Sequence, residues 1–152
     1  MAEVLINRGI YMVAPTPKLW TCPKCKRTFK KENQAHSCKH YPLDNHFKGK
    51  EQMARPLFNS LKGKVKEDIG NFKVVSLPCC IHLETSFCFA GVYALRDRIR
   101  IGFTLDHELK SPRIYKFTRM SKNRYHYGID IKNGDEIDKE LLNWLSLAYN
   151  LK

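Results

Sequence analysis

Cys22 and Cys25 flank Pro23-Lys24, His36 follows after a gap of ten residues, and Cys38 comes two residues later. A tight Cys-Pro-Lys-Cys turn aims both thiolates at one point. A returning His and Cys complete four soft-to-borderline ligands of the kind that tetrahedral Zn²⁺ takes. His40 also lies at a His-x3-His spacing from His36, so spacing alone leaves the fourth place to Cys38 or His40. The ten-residue gap is shorter than the ~12 of a DNA-reading finger, which leaves less helix to enter a major groove. Four protein ligands close the coordination sphere, so the expected metal is structural, with no open position for a reactive water. A redox Cys-x-x-Cys would need to open a helix in a βαβ unit, whereas here Lys26-Arg27-Thr28-Phe29-Lys30-Lys31 follows. Phe29 is placed to supply the small core that such a unit needs.

The 152 residues suit one ordinary core with a small appendage. No apolar run approaches the ~20 residues of a membrane span, and the first ten residues lack the order of a secretory signal. A cytoplasmic location with reduced cysteines is therefore expected. Cys79, Cys80 and Cys88 lie in apolar, strand-like sequence and read as small buried hydrophobes. The net charge is +12 and is unevenly placed: residues 18–50 hold nine Lys/Arg against Glu32 and Asp44. Such a pole attracts polyanions, either nucleic acid or an acidic protein partner.

Residues 1–17 read as a leading segment that ends in the linker Ala14-Pro15-Thr16-Pro17, residues 18–45 as the zinc knuckle, and residues 46–152 as a separate domain. In that domain Leu57, Phe58, Leu61, Val65 and Ile69 recur at helical spacing, with Pro56 in the first turn. The period then changes to two. Phe72–Ser76, Cys80–Glu84, Phe87–Leu95, Arg98–Leu105, Pro112–Arg119 and Arg124–Ile131 are each short and rich in β-branched and aromatic residues. A last helix carries Ile137, Leu141, Leu142, Leu145, Ala148 and Tyr149 on one stripe, with Asp135 expected as its N-cap. This order predicts an α+β fold, an antiparallel sheet covered on one face by two helices and preceded by a small zinc knuckle.

The run Trp20-x-Cys22-Pro23-x-Cys25-x3-Phe29-x3-Asn33-Gln34-x-His36-Ser37-Cys38, then His46-Phe47-x-Gly49-Lys50, then Ile137-Asp138-x-Glu140-Leu141-x2-Trp144-Leu145-x2-Ala148-Tyr149, resembles an uncharacterised bacterial family. It is the domain-of-unknown-function family fifty-six fifty-five, in the form with an N-terminal zinc knuckle. The resemblance implies a metal set of Cys22, Cys25, His36 and Cys38, with His40 incidental, ahead of a small α+β domain. It implies no activity.

No P-loop, dinucleotide glycine pattern or paired carboxylates are present; Glu84 reads as a single solvated acid. Cys79, Cys80, His82, His107 and His126 are the nearest approach to a catalytic set, and sequence cannot bring them together. Strand alternation does place Arg98, Arg100, Lys116, Arg124 and His126 on the polar sheet face, a candidate surface for phosphate or carboxylate. The expectation is a non-enzymatic binding protein with one structural Zn²⁺. Its nucleic-acid contacts would come from Lys26, Arg27, Lys30 and Lys31 with that sheet face. The rival is an accessory module for a protein or small anion.

Overall fold

The computed structural model describes residues 18–38 and 41–151. The leading segment, its two prolines and His40 lie outside the described residues. The chain forms two compact units divided after Cys38. In the first, the two-residue strands β1 (Trp20–Thr21) and β2 (Thr28–Phe29) pair antiparallel, with Trp20 opposite Phe29.

The second unit opens with a 3-10 turn, Leu43–Phe47, and the helix α1 (Ala54–Asp68). Pro56 occupies the first turn of α1, where a missing N–H costs nothing. The helix buries Ala54, Leu57, Phe58, Leu61 and Val65. Six strands follow: β3 (Lys73–Ser76), β4 (Ile81–Glu84), β5 (Cys88–Ala94), β6 (Ile99–Leu105), β7 (Ile114–Ser121) and β8 (Arg124–Ile131). They form one sheet in the order β3-β4-β5-β6-β8-β7, antiparallel throughout. The final helix α2 (Lys139–Tyr149) packs beside α1 on β5 and β6. Ile81, Leu83, Val92, Ile99, Ile101, Phe103, Ile129 and Ile131 meet Phe58, Leu61, Leu141 and Leu145 in a single core under the two helices.

One connection departs from simple hairpins. The chain leaves β6, passes β8 and returns as the edge strand β7, because β8 takes the place beside β6. The Tyr127 hydroxyl holds this crossing loop, donating to the His107 carbonyl (3.0 Å) and accepting from the Leu109 amide (2.7 Å). Tyr127 is itself fully buried, so its phenol needs both partners.

The start of α2 differs from expectation. Asn133, not Asp135, opens a 3-10 turn (Gly134–Glu136) with a reciprocal capping box to Glu136, and Asp138 caps the helix through the Leu141 amide (3.0 Å). The reason is Ile137, which is buried and interrupts the helix register to reach the core. Arg113 from the crossing loop then grips Asp138 (2.9 Å), Glu140 (3.0 Å) and the Glu136 carbonyl (2.6 Å). Among the described residues no helix is long and apolar enough to cross a membrane.

Gly70 ends α1 with φ +154°, a region that suits only glycine, and an added Cβ would stand 2.7 Å from the Tyr149 hydroxyl. That hydroxyl donates to the Asn71 carbonyl (2.7 Å) and ties α2 to the exit of α1. Gly70→Ala is expected to cost about 1–3 kcal/mol through backbone strain. Calorimetry should show the melting temperature falling by several degrees, and an unchanged melt would refute the role of this contact.

Candidate metal centre

The local fold of residues 18–38 follows from two tight turns. Cys22 donates its amide to the Arg27 carbonyl (2.8 Å) and accepts from the Lys26 amide (2.8 Å), which closes the Cys-Pro-Lys-Cys loop. Lys26 must adopt φ +64° to do so. A second turn spans Lys31 to Gln34, with Asn33 at φ +55°, a conformation that asparagine tolerates better than most residues. It sends the chain back, so that His36 and Cys38 face the first loop. Phe29 is buried against the His36 ring (centroids 4.2 Å apart) and Trp20 (5.9 Å), forming the unit's small aromatic core.

The ligand atoms of Cys22, Cys25, His36 and Cys38 all lie within 4.8 Å of one another. Cys22 Sγ is 3.6 Å from Cys38 Sγ, and His36 Nε2 is 3.4 Å from Cys25 Sγ and 3.2 Å from Cys38 Sγ. A tetrahedral ion with bonds of about 2.3 Å to sulfur and about 2.0 Å to nitrogen spaces its donors roughly 3.5–3.8 Å apart. The side chains are thus positioned to bind one metal ion. His36 Nδ1 donates to the Gln34 carbonyl (2.6 Å). That bond fixes the ring and leaves Nε2 as the donor atom.

The thiols respond to one another and to the backbone. The Cys25 amide, opposed by burial and helped by the Lys24 amide, draws the Cys22 thiol down to about 6. Burial and then the neighbouring Cys22 and Cys25 thiols push Cys38 up to about 11. A cation beside Cys22 and Cys38 would favour their thiolates.

The sheet face carries the other expected site residues, and two of them, Arg98 and Arg100, are compensated by carboxylates. Asp130 on β8 faces Arg100 on β6 in the ladder and accepts from its Nε (2.7 Å) and Nη2 (3.0 Å), and from Arg98 Nη1 (3.1 Å). Arg98 also binds Asp97 (2.9 Å), while the Arg100 guanidinium lies 4.2 Å from the Tyr115 ring centre. Arg124 donates to the Asn123 carbonyl (2.8 Å), and His126 bonds the Thr104 hydroxyl (3.0 Å). Burial and then Lys116 hold the His126 pKa below its usual value. The signal for Asp130 was present in the sequence, since it shares the strand face of Arg124 and His126. Only the β6–β8 register reveals that it neutralises Arg98 and Arg100.

Two expectations for the remaining polar residues are corrected. Cys79 and Cys88 are exposed and only Cys80 is buried, because Pro78-Cys79 forms the tip of the β3–β4 hairpin and Cys88 begins β5 at a bulge. Glu84 is buried and paired with His82 (3.1 Å), not solvated. Cys80 and His82 do come together, whereas His107 sits in the crossing loop paired with Asp106 (2.8 Å).

Fold and site together define an α+β domain preceded by a metal-competent Cys3His module. Residues 43–152 match the family described as Domain of unknown function (DUF5655), and the chain belongs to that family. The match begins beyond Cys38, so the tetrad lies outside it. Neither the curated proteins nor the solved structures provide a match.

Two outcomes follow from this geometry. Native mass spectrometry should find one metal ion per chain; Cys38→Ser and His36→Ala should each lose it, while His40→Ala keeps it. Loss only in the His40 variant would overturn the ligand set. For the sheet, Arg100 and then Arg98 hold the Asp130 carboxyl below the usual carboxylate range. A depressed pKa gives stability that is fully present above the unfolded value of about 3.9 and is lost as the pH falls through the folded pKa. Asp130→Asn should lower the melting temperature at neutral pH and flatten its decline below about pH 4. Parallel wild-type and variant curves would contradict this.

Proposed function

We propose that residues 18–38 form a structural zinc knuckle and that the chain is a binding protein whose knuckle contacts nucleic acid through phosphate. Three thiolates and an imidazole suit Zn²⁺, which imposes no geometry of its own and favours such tetrahedral sets. When bound, zinc would lock the two turns that so small an aromatic core holds weakly by itself. The observation that supports the nucleic-acid reading is the placement of charge around the tetrad. Residues 18–38 carry six Lys/Arg against Glu32 alone, and Lys24, Lys26, Lys30 and Lys31 are exposed. Even three thiolates with one dication subtract only a single charge from that surplus. Arg27 lies over the Phe29 ring (4.9 Å), so its guanidinium is held on the surface of the aromatic core.

No long helix follows Cys25 in the unit, and its strands are two residues each. A groove-reading element is therefore lacking in residues 18–38, and the expected binding through them is weak and tolerant of sequence. Arg98 and Arg100 are paired with Asp130 and Asp97, which favours the knuckle over these two arginines as a phosphate contact.

Affinity for duplex and single-stranded oligonucleotides, measured against salt, tests the proposal. The slope of log K on log [salt] is about −0.9 per neutralised phosphate on duplex and about −0.7 on single strands. Replacing Lys26, Arg27, Lys30 and Lys31 together by Gln should flatten that slope by two to four phosphates' worth, whereas Arg98→Gln should barely change it. Binding absent at low salt, or unchanged in the quadruple variant, would transfer the role to a protein or small-anion partner. Chelation should release residues 18–38 while leaving the melt of the larger unit intact, since that unit buries its own core.

A further inference from the structure

A second cluster of thiols and imidazole lies on the sheet face opposite the helices. The β3–β4 hairpin turns through Leu77-Pro78-Cys79-Cys80, closed by the Leu77 amide on the Cys80 carbonyl (2.9 Å). Cys79 is exposed at its tip, Cys80 is 3% exposed, and their sulfurs are 3.2 Å apart. Alternation along β4 buries Ile81 and Leu83 and puts Cys80, His82 and Glu84 on the other face. Glu84 is a buried carboxylate whose Oε2 lies 3.1 Å from His82 Nδ1, and the thiols of Cys80 and Cys88 interact with the same imidazole. A thiol beside an imidazole that is in turn oriented by a carboxylate is the arrangement of an activated nucleophile.

We propose that Cys80 is a nucleophilic thiol that reacts with small peroxides, with His82 as its proton carrier, Glu84 as the positioning group, and Cys79 as the thiol that resolves the product. The electrostatics agree with the geometry. The Cys80 and Cys88 thiols and Glu84 raise His82 to about 12, so it stays an imidazolium. Burial works against ionisation of Cys80, but the His82 imidazolium, Cys79 and the Tyr93 hydroxyl outweigh it and draw the thiol down. Cys79 moves the opposite way, pushed up by Cys80 and by burial, and remains a thiol. From β3, Val75 stands opposite His82 and Lys73 stands opposite Glu84. On β5, Gly91 pairs with His82, and a Cβ there would meet only the edge of Tyr93 at 4.0 Å. Open backbone beside the imidazole leaves room for a small molecule such as hydrogen peroxide.

The chemistry balances without a cofactor. The Cys80 thiolate attacks one peroxide oxygen; the S–O bond forms as the O–O bond breaks, and the departing hydroxide takes the His82 proton to become water. Cys79 then attacks the sulfenic sulfur, the S–S bond forms as the S–O bond breaks, and the second hydroxide leaves with the Cys79 proton as water. Two thiols lose two electrons and the peroxide gains them. Adjacent residues have Cα atoms about 3.8 Å apart. Relaxed disulfides need roughly 4.4–6.8 Å, so this one is strained and readily reduced by an external thiol.

The test treats the full-length, metal-loaded chain with hydrogen peroxide and maps its peptides by mass spectrometry. The Cys79–Cys80 peptide should lose two hydrogens before Cys88 or the knuckle cysteines change, and Cys79→Ser should leave a sulfenic acid on Cys80 that dimedone traps. His82→Gln should slow the reaction by about tenfold or more. Glu84→Gln should slow it less and move the pH midpoint of Cys80 alkylation upward. Should either variant fail to fold, the wild-type midpoint decides: below the ordinary thiol value of about 8.5 it supports the proposal, and at or above it the proposal fails. Oxidation that reaches Cys88 or the knuckle first, or no oxidation of the pair, also overturns it.

Discussion

Strict alternation along the central strands sets both faces of the sheet at once. Each residue that sends Ile81, Val92, Ile101 or Ile129 beneath the helices sends its neighbour to the opposite side. A register slip of one residue would expose the core and bury Arg100, Asp130 and His82 together. The helices therefore fix the positions of side chains they never touch. The same register aligns Gly91, Gly102 and Gly128 in a row across β5, β6 and β8. Two of the three are roofed by rings: His126 lies over Gly102 and Tyr115 over Gly128, each within 3 Å of where a Cβ would be. Gly91 is the one left open, and it is the one beside His82.

Charge follows a similar division. Overall the chain is strongly basic, yet the sheet face is close to balanced where Asp97 and Asp130 meet Arg98 and Arg100. The pairs with Asp130 are partly buried, and they remove Arg98 and Arg100 from a ligand's reach. Residues 18–38 carry +5 of the net +12 on one short ribbon, and Lys116, Arg119, Lys122 and Arg124 add a second basic stretch across the β7–β8 hairpin.

Much of the architecture was legible because long periodic segments leave few choices. The helix stripe from Leu57 to Val65 and the alternation of Ile99 to Leu105 lead directly to α1 and β6, and the Cys/His spacing leads to the tetrad. What was hidden depended on pairings between distant segments. Asp130 neutralises Arg100 only because β8 and not β7 lies beside β6, and nothing local in either strand specifies that order. The cap of α2 moved because the burial of Ile137 overrode the local preference of Asp135. Glu84 looked like a solvated acid since its partner, two residues away on the same strand face, was read as part of an ordinary strand.

The two Cys/His clusters use the same side chains for different ends, and the difference lies in what each imidazole's Nδ1 meets. In the knuckle it meets the Gln34 carbonyl, which can only accept a hydrogen bond and carries no formal charge. The ring is thus oriented through Nδ1, with Nε2 turned toward the three sulfurs as the atom that would meet a metal. On the sheet, Nδ1 meets the buried Glu84 carboxylate, which favours the doubly protonated ring and so denies it a lone pair. An imidazolium cannot ligate a cation, but it can stabilise a thiolate and hand over a proton. A carbonyl in one place and a carboxylate in the other thereby separate a structural site from a reactive one within a single short chain.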